Sequence, residues 1–255
     1  MTRLLKIQLF VLFITIGCFH SCKEQANQLS QIAGSQVPVD SSLAEVDSIE
    51  SFIAPYRKRV NEVMDMPLSY APRTLTKGDG ELNTSAGNLL ADAILEQASP
   101  IYESRTGTPV DFVIFNHGGI RSIISKGQVT TRTAYQVMPF ENRIAIVEMP
   151  GNAVLGLVRF LKKSGRAHPI AGMQIILDKE DSIQSVIING EPFDENRTYL
   201  AATSDYLVQG GDDMGFFKNR SNVEVMEYLV RNALIDYFKS HDTLRNTVDE
   251  RFIRR

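Results

Sequence analysis

Both cysteines of the chain, Cys18 and Cys22, fall within its first 22 residues, and none follows them. Everything after that point must fold without a disulfide and without a thiolate-held metal. Its stability has to come from a buried apolar core. With 255 residues, 43% hydrophobic and 22% charged, the chain has the apolar side chains to build one. The four histidines, His20, His117, His168 and His241, are scattered, with none of the close spacings that metal ligands show. The formal net charge is −3. That balance argues against nucleic acid as a partner, because binding its backbone calls for a clustered Lys/Arg face. A small anionic ligand needs only one or two well-placed cations and stays open.

Residues 1–22 read as an address. Arg3 and Lys6 form a short positive region ahead of an apolar run from Ile7 to Phe19. The run is too short, and too soon followed by polar sequence, for a membrane span. This is the pattern of an export signal. Its ending, Ser21-Cys22 and then Lys23-Glu24-Gln25, resembles a bacterial lipoprotein cleavage site. The resemblance implies Cys22 as the lipidated first residue of the mature protein. Cys18 after Gly17 is the alternative acceptor, and plain secretion with two incidental cysteines is the competing reading. An acyl anchor would hold the protein on the bacterial cell envelope, at the outer membrane or facing the periplasm, without spanning a bilayer. Residues 23–41, rich in Ser, Gln, Asn and Ala, read as a flexible tether, which leaves residues 42–255 as the folded domain.

Within that domain, apolar residues from Leu43 to Val63 recur at helical spacing, interrupted by Pro55, which predicts two helical pieces or one kinked helix. Pro67 to Arg73 reads as a short strand and Thr76 to Glu81 as a loop. Thr84 to Ala98 predicts a helix capped by Thr84 or Ser85. Asp111 to Phe115 is a buried strand ending in the glycine loop Asn116-His117-Gly118-Gly119. Further helices are predicted at Thr131–Val137, Asn152–Lys163 and Val223–Ser240. Strands are predicted at Arg143–Met149, Met173–Leu177, Ile183–Ile188 and Tyr199–Thr203, with Asn189-Gly190 as a strong turn. Strands and helices mix without strict βαβ alternation, so the fold class is α+β, a mixed sheet with flanking helices.

Four segments carry the functional signal. They are GNLLADAI (87–94), FNHGGIRSII (115–124), MPFENRIAIVEMPG (138–151) and SDYLVQGGDD (204–213). In this order and spacing they resemble the C-terminal, nucleotide-binding domain of the 5′-nucleotidase family, over about residues 65–240. The resemblance implies that Phe140 and Tyr206 sandwich a base, that Asp212 accepts hydrogen bonds from ribose hydroxyls, and that Asn142 and Gly172 lie beside the base. It also implies that Asn116 and Arg121 reach the phosphate, for which a planar guanidinium fork is well suited. The glycines make physical sense in these places. Gly118-Gly119 after a strand lets backbone N–H groups approach an anion, and Gly210-Gly211 allows a tight turn ahead of Asp212.

The same resemblance exposes what differs. The family's hydrolytic chemistry sits in a separate domain that holds two metal ions on Asp, His and Asn ligands, and no such cluster is found here. An arginine expected just before the GN-containing helix is Leu82, for which Arg73 or Lys77 would have to compensate. His117 replaces a glycine, where it would narrow the phosphate approach, add a donor, or serve only as a loop residue. No catalytic residue, metal ligand or cofactor is therefore expected in this chain. The expected function is the nucleotide-recognition subunit of a 5′-nucleotidase-type hydrolase, inactive as this chain alone. A nucleoside or nucleotide would be its ligand, and a separate metallophosphatase chain would supply divalent metals. The alternatives are a non-catalytic envelope nucleotide-binding protein, or a scaffold that kept the fold and lost the ligand.

Overall fold

A computed structural model describes residues 3–18, 29 and 31–255. Cys22, the expected lipidation residue, lies outside the described residues. The chain divides into two units at Glu50–Ser51. The first contains helix α1 (Arg3–Cys18), and no described helix is long and apolar enough to cross a membrane. Helix α2 (Asp47–Met64) runs on through Pro55 as one element. Its C-terminal end is fastened by Arg132, which donates to the Asp65 carboxylate and to Asn61 Oδ1.

Strand β1 (Pro67–Ala71) leads to helix α3 (Ser85–Thr106). The sequence sets the ends of α3. The Thr84 hydroxyl accepts from the Gly87 N–H at 3.2 Å, and Gly107 closes the helix at φ 78°. The helix passes the expected stop at Ala98 and contains Pro100. Its face of Leu89, Leu90, Ala93 and Ile94 is fully buried, and each of the larger side chains contributes about 1.5–3 kcal/mol by leaving water.

The elements that follow are strands β2 (Phe112–Ile114) and β3 (Gly127–Thr130), helix α4 (Thr131–Val137), strand β4 (Arg143–Pro150) and helix α5 (Gly151–Ser164). Then come strands β5 (Ile170–Ala171), β6 (Met173–Leu177), β7 (Ile183–Ile188), β8 (Glu191–Pro192) and β9 (Thr198–Ser204), and the short helix α6 (Asp205–Val208). Asn189 and Gly190, at φ 52° and 81°, make the predicted turn. The chain closes with strand β10 (Asn222–Leu229), helix α7 (Val230–Ser240) and strand β11 (Phe252–Arg254). The single helix expected over Val223–Ser240 is thus a strand followed by a helix. Asn222–Val225 instead pairs antiparallel with β4, so tertiary pairing overrides the local helical spacing.

The central sheet has the order β10-β4-β9-β2-β5, β1 pairs with β3, and β11-β6-β7-β8 forms a third sheet. β2 and β9 are parallel, while β4 runs against β9. This is the mixed α+β architecture expected. The strand directions also locate the loops. The C-terminal ends of β2, β9 and β10 and the N-terminal end of β4 all arrive at one edge of the sheet, since Ile144 pairs with Ser204 and Arg143 with Leu229.

Candidate functional site

At that edge Asn116, Gly118, Gly119, Arg121, Phe140, Asn142, Tyr206 and Asp212 line one cleft of about 290 Å³. The loop after β2 supplies the first four, the segment entering β4 supplies Phe140 and Asn142, and the chain after β9 supplies Tyr206 and Asp212. Phe140 is 39% and Tyr206 46% exposed, so both rings offer apolar surface to solvent at the cleft.

Polar contacts tie the loop after β2 to the chain after β9. Asn116 Nδ2 donates to Asp212 Oδ2 at 2.7 Å, and the Tyr206 hydroxyl donates to Asp212 Oδ1 at 3.3 Å. Asp212 has a left-handed backbone, φ 51° and ψ 36°, next to Gly210 at φ 99°. An aspartate tolerates that conformation better than most residues, and here it turns the carboxylate to both neighbours. A Cβ on Gly211 would come within 2.4 Å of the Tyr206 ring. This glycine therefore makes room for the ring as well as for the turn. A Cβ on Gly119 would meet Asn116 Oδ1 at 2.7 Å. Arg121 Nη1 reaches Gly118 O at 3.4 Å and is otherwise exposed.

The loop carrying Asn116 rests on His168, which is 4% exposed. His117 N donates to His168 Nδ1 at 3.3 Å, and His168 Nε2 lies 3.0 Å from Ser164 Oγ. Burial pushes the His168 imidazole down to about 4, reinforced by the neighbouring His117 and Arg166 and opposed by a backbone hydrogen bond to Phe115 and by Asp212. The His117 ring meets Ala167 O at 3.2 Å and does not line the cleft.

Six of the seven expected binding residues come together. Gly172 does not. β5 pairs antiparallel with β2, Val113 opposite Ala171, so Gly172 is carried toward the N-terminal end of β2, away from the cleft. It lines a separate depression, and at φ 71° its missing Cβ would lie 2.4 Å from Asp111 O. Its glycine is explained by that close backbone approach. Of the two cations named as substitutes at Leu82, Lys77 donates to Ile120 O at 2.9 Å, beside Arg121. Arg73 is committed to the carbonyls of Arg245 and Asn246. Leu82 itself is buried, 4% exposed.

The family model for the C-terminal domain of 5′-nucleotidase matches residues 59–219, a span that contains every residue lining the cleft. The chain belongs to the 5′-nucleotidase C-terminal domain family. Protein UshA of Escherichia coli (strain K12) is 25% identical over 215 residues, which cover 82% of this chain and 37% of UshA. The 5′-nucleotidase of Vibrio vulnificus (strain CMCP6) is 26% identical over 227 residues, 80% of this chain and 38% of that protein. The chain thus spans well under half the length of these relatives. Among solved structures, the 5′-nucleotidase precursor of Thermus thermophilus shares the fold at TM-score 0.67 and 19% identity, over 82% of this chain and 43% of its own. The NAD nucleotidase of Haemophilus influenzae does so at TM-score 0.63 and 20% identity, over 82% and 42%.

The 5′-nucleotidase family implies a pair of metal ions. Among the described residues no group of three or more His, Cys, Asp or Glu side chains could hold a metal. The donor set of the described residues does not fit such a pair.

Sequence reading missed Asp205 and Arg231. Asp205 Oδ1 accepts from the Arg143 N–H at 3.1 Å, and the buried Arg231 reaches the Phe140 carbonyl at 3.1 Å. Asp205 stands within SDYLVQGGDD but was given no role there, and Arg231 carries no local motif. Both become visible only once β4 is paired between β9 and β10.

Proposed function

We propose that this chain is the nucleotide-recognition component of a 5′-nucleotidase-type hydrolase whose metals are supplied by a separate metallophosphatase chain. The observation that carries this reading is one cleft lined by two exposed aromatic residues, Phe140 and Tyr206, together with Asp212 and Arg121. Exposed rings stack on any base, a carboxylate accepts from a ribose diol, and a guanidinium matches a phosphate. Asn116 and Tyr206 orient the Asp212 carboxylate before a ligand arrives, which lowers the ordering cost of binding. Lys77 holds the same loop through the Ile120 carbonyl.

The test is reconstitution. A metallophosphatase chain mixed with this protein is expected to release phosphate from a nucleoside monophosphate faster than either chain alone. No gain over the metal-containing chain would reject the split arrangement.

A second reading is favoured by Leu82. No cation stands at that buried position, so a non-catalytic nucleotide-binding protein of the envelope would need only the cleft. In that case nucleotide binds and reconstitution adds nothing.

We further propose that Cys22 carries the acyl anchor. Labelled palmitate is expected to be incorporated by the wild-type protein and not by Cys22→Ala; label retained in that variant would move the anchor to Cys18, and no label in the wild type would reject it.

A further inference from the structure

Helix α7 begins with an arrangement that fold stability does not explain. Arg231 lies in its first turn and is 4% exposed. A cation at this end opposes the helix dipole. A buried guanidinium also loses its hydration, and Arg231 Nε has no hydrogen-bond partner among the described residues. Its ion-pair partner, the Glu141 carboxylate, is 75% exposed, so water screens the attraction.

What the arginine does do is grip the segment that enters β4. Nη1 donates to Phe140 O at 3.1 Å, Nη2 donates to the Glu141 carboxylate, and the guanidinium lies 4.1 Å from the centre of the Tyr135 ring. The adjacent Val230 N–H donates to Asn142 O at 3.0 Å. Three consecutive residues are thereby fastened to one helix turn, and two of them, Phe140 and Asn142, line the cleft.

We propose that Arg231 is a positioning residue that fixes Phe140 as a rigid wall of the nucleoside cleft, a role that rests on the reading of the cleft given above. The planar fork suits it, since one side chain spans a carbonyl, a carboxylate and an aromatic face at once. Replacing Arg231 with methionine keeps most of the volume and leaves no buried charge behind, because Glu141 is already in water. Such a replacement is expected to leave fold stability unchanged or raised. What suffers is the hold on Phe140 and Glu141.

The test uses the full chain in detergent as wild type, R231M, R231K, F140A and R231M/F140A. Thermal unfolding, adenosine calorimetry and exchange of the Val230 and Arg143 amides are measured on each. R231M is expected to unfold no lower than wild type, to exchange faster at the Val230 and Arg143 amides, which donate to Asn142 O and Asp205 Oδ1, and to bind adenosine about tenfold more weakly, within the range of a lost base–aromatic stack. R231K should recover part of the affinity, and R231M should add nothing in the F140A background. Unchanged exchange and affinity would overturn the proposal. So would a drop in unfolding temperature accompanied by the same affinity loss in the F140A background, which would mark a merely structural residue. Should the wild type bind no adenosine, the cleft reading itself fails, and the exchange rates alone decide whether Arg231 holds the segment.

Discussion

Phe140→Ala and Tyr206→Ala each weaken nucleoside binding roughly fivefold to a hundredfold, because a base–aromatic stack is worth about 1–3 kcal/mol. Isothermal calorimetry on the two variants checks this. The fold should survive both changes, since the rings are 39% and 46% exposed and their removal opens no sealed cavity. The two losses are not expected to be equal. The Tyr206 hydroxyl also donates to Asp212 Oδ1, so Tyr206→Ala removes one of the carboxylate's two hydrogen bonds as well as the ring. Tyr206→Phe separates the two effects, keeping the stack and leaving Asp212 held by Asn116 alone. A ring-dependent loss that is the same for adenosine and uridine would show that stacking, and not base-edge recognition, dominates.

The second large effect is on stability at low pH. His168 is buried and its imidazole is pushed from 6.5 down to about 4, with burial as the leading cause. The unfolded chain therefore takes up a proton between about pH 6.5 and 4 that the folded chain refuses. By linkage, the stabilisation from the neutral ring is fully present above pH 6.5, declines as pH falls, and is gone below about 4. The displacement corresponds to roughly 3 kcal/mol, a large fraction of the 5–15 kcal/mol typical of a domain. Urea denaturation of wild type across this window should show the decline, and His168→Gln should flatten it by about that amount. A wild-type profile that is level from pH 7 to 4 would contradict the assignment. The loop carrying Asn116 should feel the same titration, because His117 N donates to His168 Nδ1 and a charged ring cannot accept that bond.

Much of the cleft was legible through the family resemblance, because the segments that carry it are local. A buried strand followed by Asn-x-Gly-Gly, and a strand end followed by Gly-Gly-Asp, each announce a loop with an unusual backbone. The positive φ at Gly210 and Asp212 bears out the second of these. Gly172 was misplaced because a glycine between two strands looks the same whether it borders a ligand or another backbone. Only the antiparallel direction of β5 decides which. The end of α3 was missed because proline is read as a stop, yet Pro100 lies within the helix and Gly107 ends it. The strand β10 was missed because Val223, Met226 and Val230 keep a helical spacing, while the free edge of β4 supplies the competing hydrogen bonds. Arg231 followed from that error. On a long helix it reads as a solvated cation, and after a paired strand it lies buried against Phe140.

The most direct measurement is titration of the full chain in detergent with adenosine, uridine and their monophosphates. The account predicts saturable one-to-one binding of both nucleosides, tightened by a 5′-phosphate, with Arg121→Ala removing the phosphate increment alone. Absence of any nucleoside binding by a folded protein would contradict it.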